Sequence, residues 1–300
     1  MAPFLPENEQ AYRDWRQRKL ALRERLDPLR VFLLDDSGRL PVADIEAVLE
    51  QVEAYNCLIF QSQTGQFERD ALLRFSRQLG LQRLDANPGA DADSVTALRV
   101  LPPGDRRARY VPYTNRGMNW HTDGYYNSRE RRIQAFALYC VHPASWGGRN
   151  FLFDHEMMYM LVRDQSPDLL DALMQPDLMQ IPANLEGEQV LRGATSGPVF
   201  EAREQGQGVH MRYTSRPHNI AWKSDARSRA ALDLVREILL DGATSLDIQL
   251  QAGQGIICNN ILHGRQAFRD GPDEHPRLVY RARYLDAINL MPDAGNGRST

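Results

Sequence analysis

The chain has 300 residues, is 42% apolar and carries a formal net charge of -3. That length suffices for one large hydrophobic core or two small ones, and the charge offers nucleic acid or an anionic membrane no global attraction. No run approaches the roughly 18 apolar residues of a membrane span, and the first residues lack the basic and apolar regions of a secretory signal. Cys57, Cys140 and Cys258 are scattered and form no C-x-x-C pair, so they read as buried free thiols. The expected setting is cytoplasmic, without nucleic-acid or membrane partners.

In chain order, residues 9–26 are charged with helical spacing, and Arg30 to Leu34 reads as a strand closed by the turn Asp35-Asp36-Ser37-Gly38. Apolar residues at Val42, Ile45, Val48, Leu49 and Val52 predict a helix to Tyr55, followed by a short buried strand over Asn56 to Phe60. Arg69 to Leu79 predicts a second amphipathic helix ending at Gly80, and Leu81 to Ala97 a loop. Strand signals then dominate, interrupted by one helix near Glu156–Leu173 and another over Ser224–Leu240. Gly253 to His263 reads as a glycine turn and a β-branched strand delivering a histidine at its end. On a period of two, Arg277, Val279, Arg281 and Arg283 share one face of a final strand. The pattern predicts an α+β chain, mainly β in its core, with helices packed outside.

The chemistry concentrates in Trp120-His121-Thr122-Asp123 and in His263, 140 residues beyond the aspartate. In a strand, residues i and i+2 point to one face, so His121 and Asp123 can chelate one ion. Two imidazoles and a carboxylate on one face of a metal leave the opposite positions open, the ligand pattern of a mononuclear iron oxygenase. H-x-D alone is a weak signal, and a lone histidine is usually a core or surface residue. The order H-x-D, distant His, then Arg281 on a following strand is what carries the reading, since an arginine fork suits a carboxylate.

These pieces resemble, in order, the taurine dioxygenase/clavaminate synthase superfamily of iron(II)- and 2-oxoglutarate-dependent oxygenases. Asn119-Trp120-His121-Thr122-Asp123 matches that family's metal motif. Gly147-Gly148-Arg149-Asn150 stands where members carry Gly-Gly-x-Thr, and Leu262-His263-Gly264-Arg265 and Arg277-Leu278-Val279-Tyr280-Arg281 match the distal histidine and cosubstrate-arginine regions. The resemblance implies a double-stranded β-helix (jelly-roll) core. It implies one dioxygenase domain over 1–300, with an N-terminal α/β portion to about 97 and a core with helical insertions over about 98–290. It further implies iron(II) on His121, Asp123 and His263, with 2-oxoglutarate and dioxygen as cosubstrates. Arg281 is expected at the distal carboxylate of 2-oxoglutarate, Asn150 in place of the usual threonine, and Arg277 at the metal-proximal carboxylate. Because halogenating relatives have a small residue at the position of Asp123, the carboxylate here favours hydroxylation. The family includes dimers and tetramers, so a homo-oligomer is compatible with it.

The expected substrate is a small polar or anionic metabolite, an amino-acid-like compound, carboxylate or sulfonate. Tyr113, Asn115, Arg116, Asn119, Tyr125 and Arg212 are the candidate substrate contacts, and His210 and His218 flank the same arginine-rich segment. The arginine clusters Arg106-Arg107-Ala108-Arg109 and Arg129-Glu130-Arg131-Arg132 read as solvated faces rather than an RNA contact. Two alternatives remain: a non-catalytic jelly-roll binding protein with a retained metal site, and a zinc hydrolase, for which Arg281 has no role.

Overall fold

The computed structural model describes residues 3–65, 68–86, 91, 93–187, 189–203, 208–272 and 275–289. Residues 87–90 and 92 of the expected loop, and the end of the expected core at 290, lie outside these. Helix α1 (Glu9–Arg25) is followed by strand β1 (Val31–Leu34), α2 (Ile45–Tyr55), β2 (Cys57–Ser62), α3 (Arg69–Gln78) and β3 (Thr96–Leu98). Asn56, expected in the strand, instead ends α2 in the left-handed region at φ 51°, a conformation asparagine tolerates. Strand β3 spans the division expected at residue 97, because its register partner is a strand from the far end of the chain.

The middle of the chain supplies β4 (Met118–His121), β5 (Ala135–His142), β6 (Trp146–Gly147) and β7 (Asn150–Phe153). Then come two helices, α4 (His155–Gln165) and α5 (Pro167–Leu173), where the sequence pattern predicted one. The Ser166 side chain caps α5 and Pro167 occupies its first turn, where a missing N–H costs nothing but would break a continuous helix. Small strands β8 (Met179–Ile181), β9 (Asn184–Glu186), β10 (Gln189–Arg192), β11 (Thr195–Gly197), β12 (Phe200–Ala202), β13 (Val209–Met211) and β14 (Ala221–Trp222) form an insertion before α6 (Ala226–Asp241). The chain then runs through β15 (Leu246–Ile248), β16 (Gln254–Cys258), β17 (Leu262–Arg265), β18 (Phe268–Arg269) and β19 (Leu278–Tyr284).

Two sheets make the double-stranded β-helix. The larger has order β1-β2-β16-β5-β19-β3 and the smaller β15-β7-β17-β4. The single predicted strand from Gly253 to His263 is thus two strands in different sheets, joined by a turn with Asn260 at φ 41°. Alternation along β5 explains the layering. Phe136, Leu138 and Cys140 point between the sheets with Leu152, Ile256 and Val279, whereas Ala135, Ala137 and Tyr139 face α2 and α3. Helices α1, α4, α5 and α6 cover the outer face of the small sheet through Tyr12, Trp15, Phe153, Leu173, Val235 and Leu262. All three cysteines are buried and free, and the direct pairing of β2 with β16 brings Cys57 and Cys258 to a 3.3 Å Sγ–Sγ contact. No helix among the described residues is long and apolar enough to cross a membrane.

Helix α1 is fastened by a buried cation. Lys19 is 1% exposed, with Nζ 2.8 Å from Asp154 and 2.6 Å from Glu156 at the start of α4. It also donates to the Glu53 carbonyl on α2. Removing one partner of a buried ion cluster leaves the others uncompensated, at a cost of about 3–5 kcal/mol. Lys19→Met is therefore expected to lower the urea midpoint by an amount equivalent to that loss; a change below about 1 kcal/mol would refute this account of α1 docking.

Candidate metal centre

Strands β4 and β17 pair antiparallel with His263 directly opposite His121, so the two imidazoles meet at a centroid distance of 4.2 Å. Gly264 permits this approach, because a Cβ there would lie 2.8 Å from the Met118 carbonyl oxygen. Asp123 follows just past the end of β4. One ligand atom from each of His121, Asp123 and His263 lies within 4.8 Å of the others, and all three groups are enclosed by protein.

Each histidine is oriented from its own strand. Nδ1 of His121 bonds the Asn119 carbonyl at 2.9 Å, and Nδ1 of His263 bonds the Ile261 carbonyl at 2.9 Å. Both rings therefore carry the proton on Nδ1 and keep the Nε2 lone pair for a metal. Burial, and then the neighbouring His121, push the His263 pKa down to about 3. Burial also lowers that of His121, so both rings are neutral at neutral pH and ready to ligate. Burial raises the Asp123 pKa, but the Arg281 and Arg283 guanidiniums outweigh it and hold the group below the usual carboxylate range. Arg281 Nη1 lies 3.4 Å from Oδ1, while Oδ2 is buried with no hydrogen-bond partner. An orphaned anionic oxygen facing two imidazole lone pairs fits a divalent metal of iron type.

Asp123 is held by a residue the sequence reading did not single out. The Asn260 side chain accepts from the Asp123 N–H at 2.8 Å and donates to the Asp123 carbonyl at 2.9 Å. Its amide nitrogen also donates to the Ile133 carbonyl at 2.7 Å. The turn between β16 and β17 thereby ties the loop carrying one ligand to the strand carrying another. Its sequence signal is faint: a left-handed turn asparagine three residues before the histidine.

The arginines in and just before β19 occupy different heights. Arg281, expected to bind the cosubstrate, lies beside Asp123. Arg283 pairs with Asp85 and donates to the Tyr126 hydroxyl at 3.1 Å. Four residues before Arg281, Arg277 is 5% exposed and stacks 5.0 Å over Phe268. Arg265 stacks on the same ring at 4.9 Å and donates to the carbonyls of Thr114 and Arg116. Among the described residues, neither Arg265 nor Arg277 has a carboxylate within ion-pair distance. Burial, then Arg277, lowers the Arg265 pKa to about 9, and burial lowers that of Arg277. Asn150 is buried opposite Arg265 in the β7–β17 register, on the interior side with Leu152. This deep cationic end suits a carboxylate.

The candidate substrate residues divide. Tyr113 packs in the core between the sheets and feels the charge of Arg281. Asn115, Arg116 and Asn119 are exposed and serve the centre through their carbonyls, which accept from Phe268 N–H, Arg265 and His121 respectively. Tyr125 is buried, and its hydroxyl accepts from Arg216 at 2.9 Å. Arg212 is not at the metal. Its guanidinium is pinned by the carbonyls of Tyr125 and Met179 and by Thr195 Oγ1, because strand β13 aims it into the insertion. His210 lies on that same strand, away from the metal, and His218 forms no hydrogen bond or ion pair among the described residues.

Fold and site together define a mononuclear non-haem iron oxygenase of the double-stranded β-helix class. The taurine catabolism dioxygenase family (TauD, TfdA family) matches residues 22–283, and the chain belongs to this family of iron- and 2-oxoglutarate-dependent dioxygenases. It is 30% identical over 272 residues to a uridine-5′-phosphate dioxygenase of a Streptomyces species, covering 85% of this chain and 95% of that one. It is 32% identical over 191 residues to a protein of the same name from an Amycolatopsis species, covering 62% of this chain and 66% of its relative. Among solved structures, the non-haem iron oxygenase OrfP with iron, succinate and (3S)-hydroxy-L-arginine superposes at TM-score 0.60 and 15% identity, covering 88% of this chain and 85% of OrfP. An asparagine oxygenase superposes at TM-score 0.55 and 15% identity, covering 93% and 85%.

The Asn260 clamp yields a test. Asn260→Ala removes three hydrogen bonds to buried backbone groups, and outer-shell changes of this kind cost about 10- to 100-fold in metal affinity. Iron(II) titration under anaerobic conditions should show that loss, with the circular dichroism of the fold retained. Wild-type affinity in a folded variant would overturn the positioning role.

Proposed function

We propose that the chain hydroxylates a nucleoside 5′-monophosphate of uridine type, using iron(II) on His121, Asp123 and His263 and 2-oxoglutarate as cosubstrate. The observation that carries the substrate class is the relative named uridine-5′-phosphate dioxygenase, 30% identical along 95% of its length. The ligand assignment rests on the convergence of the three side chains and on the unpartnered Asp123 oxygen. When bound, iron(II) with 2-oxoglutarate and dioxygen supplies the oxidising power for an unactivated carbon–hydrogen bond, with succinate and carbon dioxide released.

The chain's own groups orient these partners. Arg277 immediately precedes β19 and Arg281 lies four residues further along, so the two stand at different levels along the strand direction. A short dicarboxylate whose keto-acid end sits at the metal therefore extends away from Arg281 and towards Arg277. In this reading Arg277 takes the distal carboxylate, with Asn150 and Arg265 beside it. Arg281 steadies Asp123 and the metal-proximal end, the reverse of the order expected from sequence. Tyr113 forms one wall near Arg281. At the mouth, Arg216 beside the Tyr125 hydroxyl has no carboxylate partner among the described residues and offers charge to the phosphate. The exposed Arg116 offers a second cation there.

Two measurements test this. Uridine 5′-monophosphate is expected to stimulate succinate release at least tenfold over the substrate-free rate, while free uridine does not; equal rates with both would sink the phosphate-bearing substrate. Arg277→Met is expected to raise KM for 2-oxoglutarate by about 30-fold or more, the loss typical of one partner of a buried charge pair. A larger KM effect from Arg281→Met than from Arg277→Met would restore the original order.

A further inference from the structure

Beyond the metal centre, the insertion and the loop after Asp123 enclose a cavity of about 260 Å³. Gly124, the residue after the metal-ligating aspartate, forms part of its wall, together with residues 127–130, 195–199 and 201. Its charged lining is Arg129, Arg132, Arg212, His210, Glu201 and Glu130. This is the arginine cluster that sequence alone assigns to a solvated face.

The cations there are short of partners. Arg129 and Arg132 both pair with the single carboxylate of Glu201, which leaves further N–H groups on each fork. Arg212 is 8% exposed, has no carboxylate within ion-pair distance among the described residues, and is fixed by carbonyls and a hydroxyl. Its seat also requires Gly197, where a Cβ would stand 2.9 Å from Nη1. The ring of His210, 8% exposed and opposite Glu201 in the β12–β13 register, makes no hydrogen bond among the described residues. Glu130 is exposed and lies outside any ion pair with these arginines. A cavity whose three arginines outnumber its two carboxylates, with an imidazole beside them, has the make-up of an anion site.

We infer that this cavity binds a small multivalent oxyanion of the phosphate class, as inorganic phosphate or a compact phosphate ester. Forked guanidiniums match tetrahedral oxyanions through paired N–H groups, and His210 adds a donor from a third direction. The volume lies just under the roughly 300 Å³ at which small-molecule pockets begin, which favours a compact ligand. Because the Arg212 Nε donates to the Tyr125 carbonyl, the occupied site braces the loop that carries Asp123.

Calorimetric titration of inorganic phosphate into the iron(II)-loaded full chain, anaerobically and at low ionic strength, tests this directly. Wild type is expected to bind phosphate saturably, Arg132→Gln to bind at least tenfold more weakly, and His210→Asn three- to tenfold more weakly. Glu201→Gln should bind more tightly, since it frees both arginines from their competitor. Failure of wild type to bind phosphate, or equal affinity in folded Arg132→Gln, would overturn the site. Displacement of phosphate by uridine 5′-monophosphate but not uridine supports a phosphate ester as occupant, and binding undisturbed by the nucleotide supports free phosphate. Succinate release reports separately on the substrate proposal, so the two readings can fail independently.

Discussion

Everything at the centre depends on keeping the Asp123 carboxylate charged, buried and half-engaged. Arg281 approaches one oxygen and the other is left without a donor, so the residue stays ionised inside the protein with a lone pair to give. Burial alone would favour the neutral acid. Arg281 and Arg283 reverse that preference, and both come from one strand whose alternate residues, Ala282 and Tyr284, sit in the opposite core layer. Asn260 completes the arrangement by holding the Asp123 backbone against the turn that leads into β17.

The two-sheet architecture makes that arrangement possible. Strand β16 belongs to the large sheet and β17 to the small one, and the turn between them delivers His263 opposite His121. Strand β19, in the large sheet, looks across the interior and contributes a cation at each level. The result is a graded interior, with Arg281 and Arg283 near Asp123 and, around Phe268, two guanidiniums without a carboxylate partner among the described residues.

Much of this was readable from residue order. The H-x-D pair, the distant histidine and the arginine strand are close-range patterns, and period-two alternation places Arg277, Val279 and Arg281 on one face. Alternation gives the face but not the height, so the nearness of Arg281 to Asp123 came only from the fold. The paired helices at Ser166-Pro167 carried a local signal that the longer helical spacing obscured. The break after Cys258 turned on Asn260 adopting positive φ, which tertiary hydrogen bonds to Asp123 and Ile133 select. Arg212 follows β13 directly, and the packing of the insertion determines which carbonyls it meets. The arginines at 129–132 read as solvent-facing because Glu201, 69 residues beyond Arg132, pairs with them only through the fold.

The most direct test of the central claim is an anaerobic titration of 2-oxoglutarate into iron(II)-loaded protein, followed by visible absorption. The account predicts a weak metal-to-ligand charge-transfer band that grows saturably with 2-oxoglutarate, as bidentate chelation on a three-ligand iron requires. Iron-loaded protein that binds 2-oxoglutarate without developing the band would contradict it, because the cosubstrate would then lie on the arginines without reaching a metal held by His121, Asp123 and His263.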